Sequence, residues 1–109
     1  MPRLLYHWTP RRTQSRVRRE GLRSDLALGS LKAVWACSRS KIGWALSHVA
    51  ARHGFTPDEF VLVQITVPRR QIRKSCWRGV YTCKRGYGPE RIRILGGIEC
   101  LTGVTHETL

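Results

Sequence analysis

Phe60-Val61-Leu62-Val63-Gln64-Ile65-Thr66-Val67 is the run on which the fold turns. It is β-branched and almost continuously apolar, the pattern of a strand buried on both faces, so it predicts a central strand that Pro68 ends. A strand of that kind needs cover on each side. Just upstream, Ile42, Ala45, Leu46, Val49 and Ala50 recur at i, i+3, i+4, i+7 and i+8, which predicts the amphipathic core helix. Ser38 or Ser40 caps its start, and Gly54 stops it after His53. Trp44 and His48 lie four residues apart beside that stripe, placed to line one side of a cleft. Phe55 to Glu59 reads as a loop.

Moving toward the N-terminus, Lys32 to Cys37 (K-A-V-W-A-C) reads as a second strand and Ser24 to Leu31 as a turn-rich connection. Leu4 to Trp8 reads as the first strand. Thr9 then reads as an N-cap with Pro10 at the first helical position, a helix over Arg11 to Glu20, and Gly21 as its left-handed stop. On the other side of the central strand, Arg69 to Lys74 makes one irregular turn, Gly79 to Cys83 a strand, and Tyr87-Gly88-Pro89 a turn. Arg91 to Leu95 and Ile98 to Leu101 predict a closing hairpin about Gly96-Gly97. The tail from about 103 reads as loose. The sum is one α+β domain over 1–109: two early helices packed on a small, mostly antiparallel, twisted sheet of five to six strands.

Charge sets the class of partner. The 109 residues carry 20 Lys plus Arg against 7 Asp plus Glu, a formal net charge of +13. Sixteen of the basic residues are Arg and four are Lys. Arg presents a planar fork that matches phosphate bidentately. Self-repulsion of this size points to a polyanion, DNA or RNA, although an Arg-rich proteome explains some of it. Sixteen of the twenty basic residues fall in two blocks, 3–23 and 69–93. In the first, Arg12, Arg16, Arg19 and Arg23 share a helix face, with Arg11 beside them; the bland alternative is a solvated face. In the second, Arg69, Arg70, Arg78 and Arg85 stand among Trp77, Tyr81 and Tyr87, a mixture that can track a backbone and stack bases, or be half core. Arg39 adds a cation at the start of the second helix. No apolar run is long enough for a membrane helix and no export signal is visible, so the expected address is the cytoplasm and no membrane partner is expected. Cys37, Cys76, Cys83 and Cys100 form no C-x-x-C pair. They read as small hydrophobes, and no metal is expected.

The richest local cluster is Tyr6-His7-Trp8-Thr9, a strand end that opens onto a helix start. Backbone N–H groups and the positive end of the helix meet a ligand at such places. A histidine there can bond a sugar hydroxyl and a tryptophan can stack a ring; the plain alternative is aromatic packing at a strand end.

L-Y-H-W-T-P followed by a helix ending in Glu20-Gly21-Leu22 resembles the opening of the ADP-ribosyltransferase fold, the superfamily of NAD-using transferases and toxins. Val34-Trp35-Ala36-Cys37-Ser38, Phe60 to Pro68, and Val80-Tyr81 with Gly88-Pro89-Glu90-Arg91-Ile92 resemble its later elements, so the likeness covers about 3–94. It implies NAD as the nucleotide, bound by Tyr6, His7, Trp8, Thr9 and Ser38, with His7 on the adenosine-side ribose. Trp44, or Trp35, would stand in for the aromatic that stacks on nicotinamide, with Tyr81 nearby. The family's third catalytic position is a glutamate. Arg78-Gly79-Val80-Tyr81, where it is expected, holds no acid. Glu90 is then the acid to pair with His7 as the catalytic set, and Glu99 is late and apolar-flanked. The RNA 2′-phosphotransferases of the same fold use an Arg/His set instead, and this chain is rich in Arg.

Three readings follow. One is an ADP-ribosyltransferase-like domain that binds NAD or a related nucleotide and acts on nucleic acid. The alternative is a non-catalytic basic DNA- or RNA-binding module of the same or an unrelated α+β fold. A basic protein associated with the ribosome or another partner, with no pocket, is the blandest.

Overall fold

In the computed structural model, which describes residues 2–23, 33–83 and 86–99, eight regular elements follow one another. They are β1 (Arg3–Pro10), α1 (Gln14–Glu20), β2 (Val34–Cys37), α2 (Ile42–His53), β3 (Phe60–Val67), β4 (Arg73–Lys74), β5 (Val80–Cys83) and β6 (Ile92–Gly96). One six-stranded sheet runs in the order β4-β5-β2-β1-β3-β6, and every neighbouring pair is antiparallel. The α+β class, the two early helices and the antiparallel sheet are as the sequence predicts. No helix among the described residues is long and apolar enough to cross a membrane.

Strand periodicity explains the layering. Alternate side chains of a strand point to opposite faces. Leu5, Val63, Ile65 and Val67 meet Val17 of α1, with Leu22 and Tyr87. Tyr6, Trp8, Phe60 and Leu62 meet Ile42, Leu46 and Ala50 of α2. The two helices therefore cover opposite faces, and β3 is buried from both sides, as its unbroken apolar run requires. Each fully buried Phe, Leu or Ile there contributes about 1.5–3 kcal/mol.

Several boundaries differ from expectation: β4 forms within the predicted irregular turn over Arg69 to Lys74, and α2 begins at Ile42 after a 3-10 turn, with no side-chain cap bond from Ser38. Pro10 does not start a helix: it stays extended at φ −57°, ψ 134° and pairs with Phe60 as the last residue of β1. Long-range pairing outweighs the local Thr-Pro cap signal. A 3-10 turn at Arg11–Thr13 follows, and α1 begins only at Gln14. Nor does a hairpin follow Gly96-Gly97: Ile98 and Glu99 are not in a strand, because the Glu99 carboxylate folds back to accept the Gly97 N–H at 2.8 Å. Leu101 and the tail lie outside the described residues. Both helices end at the predicted glycines: Gly54 stops α2 in the left-handed conformation, φ +73°, ψ 21°, whereas Gly21 ends α1 at φ +80° but ψ −165°, outside the left-handed helical region predicted for it.

One feature of the sheet positions the site. β1 pairs with β3 along its whole length, and β2 pairs with β5 along its own. Yet β1 and β2 meet at a single residue pair, Tyr6 and Cys37. The sheet is thus two three-stranded halves, β4-β5-β2 and β1-β3-β6, joined at one point.

Candidate functional site

Beyond that joint the facing edges of β1 and β2 carry no ladder, and their backbone groups need other partners. His7 supplies one. Its Nδ1 lies 2.6 Å from the Trp35 carbonyl oxygen. A carbonyl only accepts, so Nδ1 carries the proton and Nε2 keeps a lone pair. Burial pushes the imidazole below its usual pKa, with the bond to Trp35 opposing, so His7 is neutral at pH 7. His7 makes no second hydrogen bond, and no buried polar side-chain atom among the described residues lacks a partner. Nε2 is therefore open to the space beside it.

That space is a cavity of about 640 Å3 between the two halves. Two kinds of side chain stand out in its lining. Aromatic rings form one wall: Trp35 from β2, Trp44 and His48 from α2, and Trp77 from the β4–β5 turn. Trp44 stacks on His48 with centroids 5.0 Å apart and planes 13° apart. Trp77 touches Trp44 at 5.9 Å, Trp35 at 6.0 Å and His48 at 5.2 Å.

Cations come from both helices: Arg12, Arg16 and Arg23 around α1, and Arg52 from α2. The Arg12 guanidinium covers the Phe55 ring at 4.9 Å. Arg23 bonds Glu20 at 3.1 Å, and Arg23 with Arg19 holds the Glu20 carboxyl below its usual range. Arg16 and Arg52 have no partner among the described residues.

No carboxylate lines the cavity among the described residues. Each of the five described acids is occupied elsewhere. Glu20 holds its arginines; Asp58 and Glu59 bond Thr56 in the turn after α2; Glu99 caps Gly97. Glu90, the expected catalytic acid, is exposed in the Pro89–Arg91 turn with its carboxylate folded against Gly88. It is not part of the cleft. Nor does any group of three or more His, Cys, Asp or Glu come together among the described residues.

The other expected site residues divide clearly. Tyr6, His7, Trp8, Thr9, Trp35 and Trp44 all line the cavity. Trp8 does so as an anchor, since its buried Nε1 donates to the Ile42 carbonyl at 2.9 Å and ties β1 to α2. Thr9 is spent on Thr13 at 3.3 Å. Ser38 and Tyr81 do not line it. Ser38 turns toward Ser40 at the start of the next turn. Tyr81 follows Val80 by one residue and so faces the α1 side, with the Arg3 guanidinium over its ring at 4.7 Å. Of the expected nucleic-acid contacts, Arg12 and Arg16 reach the cavity. Arg11 donates to the Asp58 carbonyl and Arg19 pairs with Glu20. Arg39, Arg69, Arg70 and Arg78 are exposed outside it, and Arg85 lies outside the described residues. Tyr87 is core, bridged to Leu22. The sequence reading assigned His53, Arg52 and Cys76 no site role. Trp77 was legible only as one aromatic among several in the second basic block.

No family model, curated protein or solved structure matches the chain.

Proposed function

We propose that this is an ADP-ribosyltransferase-like domain that binds NAD or a related nucleotide in the cleft between β1 and β2 and acts on nucleic acid. The observation that carries the reading is the convergence of His7, the aromatic wall of Trp35, Trp44 and Trp77, and Arg16 and Arg52, which have no partner among the described residues, on one cavity. A nucleotide needs three things from a site: a flat face for its base, a hydrogen-bond partner for its ribose, and cations for its phosphates. The tryptophans, His7 Nε2 and Arg16 with Arg52 supply one each. The cavity volume of about 640 Å3 falls inside the ~300–1,000 Å3 of small-molecule sites.

NAD, once bound, supplies an electrophilic ribose carbon joined to a good leaving group. The chain's residues hold its phosphates on Arg16 and Arg52 and its ribose hydroxyl on neutral His7. With its described carboxylates engaged elsewhere, the cleft is electropositive throughout. That favours an Arg/His set acting on a phosphate-bearing acceptor over a glutamate-centred one. It also gives substance to a second reading, a non-catalytic nucleic-acid module of the same shape.

Calorimetry with NAD and with ADP-ribose, followed by incubation of labelled NAD with single-stranded DNA, RNA and protein, separates these readings. NAD binding with label transferred to nucleic acid is the expected result. No NAD or ADP-ribose binding, with nucleic-acid affinity that falls steeply with salt, leaves only the second reading. Binding of neither overturns both.

A further inference from the structure

We propose that Trp44 and Trp77 form a stacking platform for one unpaired base of a single nucleic-acid strand: the ring planes meet at 55°, so the base lies flat on one ring with its edge against the other, and the phosphates run along Arg52, Lys41 and Arg78. The inference deepens the reading above by naming the class of acceptor, and it rests on nucleic acid being the partner. Trp44 is 39 % exposed and Trp77 40 % exposed, so two large apolar rings in mutual contact are left in water, the usual mark of a binding surface.

Both rings are held in place. His48, one turn along α2, stacks beneath Trp44. The Trp77 ring sits against Trp35 and His48, and its backbone is fixed: the main-chain N–H donates to Ser75 Oγ at 3.1 Å, and Ser75 Oγ donates to the Val80 carbonyl at 2.8 Å. Rings fixed before binding lose little entropy on binding. Their indole N–H groups are also unspent on the described residues, among which only Trp8 of the four tryptophans finds a partner through Nε1.

Charge selects the occupant. Arg52 lines the cavity beside Trp44 and His48. The Lys41 stem crosses Gly79, which Arg78 precedes. A cationic guest is repelled by this rim, although tryptophan faces alone would welcome one. A duplex keeps its base faces stacked inside, whereas a single strand offers them, and stacking on aromatic rings ignores base identity.

The test titrates the full chain with a single-stranded oligonucleotide and with the same sequence as a duplex, following tryptophan fluorescence at low salt. Trp44→Leu, Trp77→Leu and Arg93→Ala are run in parallel, each checked for folding by circular dichroism; Arg93 lies on β6, at the opposite edge of the sheet. Expected is preference for the single strand, weakened about tenfold or more by each tryptophan change and little by Arg93→Ala. Equal affinity for duplex, or unchanged affinity in both tryptophan variants, overturns the platform. NAD binding is measured on the same samples. Loss of NAD affinity in Trp77→Leu with strand affinity intact assigns the rings to the nucleotide and also overturns it. Strand binding through the two rings without any NAD binding upholds the platform while the NAD reading falls.

Discussion

Replacing His7 by Ala removes a side-chain hydrogen bond that bridges the two halves of the sheet beyond their joint. The lost bond, 2.6 Å from Nδ1 to the Trp35 carbonyl, is between neutral groups and is worth about 0.5–1.5 kcal/mol. A stranded carbonyl in a dry core adds about 1–3 kcal/mol. Here the cavity lies alongside it, and water can satisfy the oxygen. The expected cost is therefore about 1 kcal/mol, or ~4–8 °C in melting temperature for a domain of this size. The pH dependence is the sharper readout. Burial lowers the folded-state pKa of His7 below its unfolded value. As pH falls through that unfolded value, near 6.5 for a free imidazole, the unfolded chain takes up a proton that the folded chain refuses. Stability is then intact above this value and declines below it. Urea denaturation from about pH 8 to about pH 5 should show that decline in the wild type and a shallower one in His7→Ala. The other histidines are common to both proteins and cancel. Parallel profiles would refute the neutral, buried His7. A loss above ~3 kcal/mol at neutral pH would show instead that water does not reach the cleft.

Two other substitutions probe its frame. Gly21→Ala puts a Cβ into the Tyr87 carbonyl at φ +80° and disrupts the paired bonds between Leu22 and Tyr87. It should cost about 3–4 kcal/mol, against about 1 kcal/mol for Gly54→Ala, which has the same backbone sign but open space; equal losses in urea melts would contradict this. Alkylation followed by peptide mass mapping should mark exposed Cys76 and spare Cys37, whose thiol burial pushes up to about 12. Comparable labelling of the two would mean that the cleft floor opens to solvent.

The elements with their own periodicity were the legible ones. The apolar run of β3 and the stripe of α2 announced themselves, and with Gly54 they set the core. The split between β1 and β2 was not written locally. It arises because β2 completes its ladder with β5, more than forty residues away, and non-local pairing of that kind leaves no periodic trace. The same pairing carries Trp77 to Trp35 and Trp44 and turns Tyr81 away, so the aromatic wall could not be assembled from spacing. Glu90 lies away from the cleft for a similar reason: its carboxylate folds against Gly88, and nothing in the run Pro89-Glu90-Arg91 tells where on the sheet that turn falls. His7 was legible because its strand end is marked by sequence neighbours, but the backbone carbonyl that fixes its tautomer was not.

A sheet sewn together by one stitch separates cohesion from recognition. Most of the ladder hydrogen bonds lie within each half, and the buried rows of β3 pack well away from the opening. The exposed side chains at the mouth of the gap, Trp44, Trp77 and Arg52, bear little of the weight, so they can be exchanged with small loss of stability, unlike Trp8, which is core. In such an arrangement the choice of ligand is free to drift while the scaffold stays put.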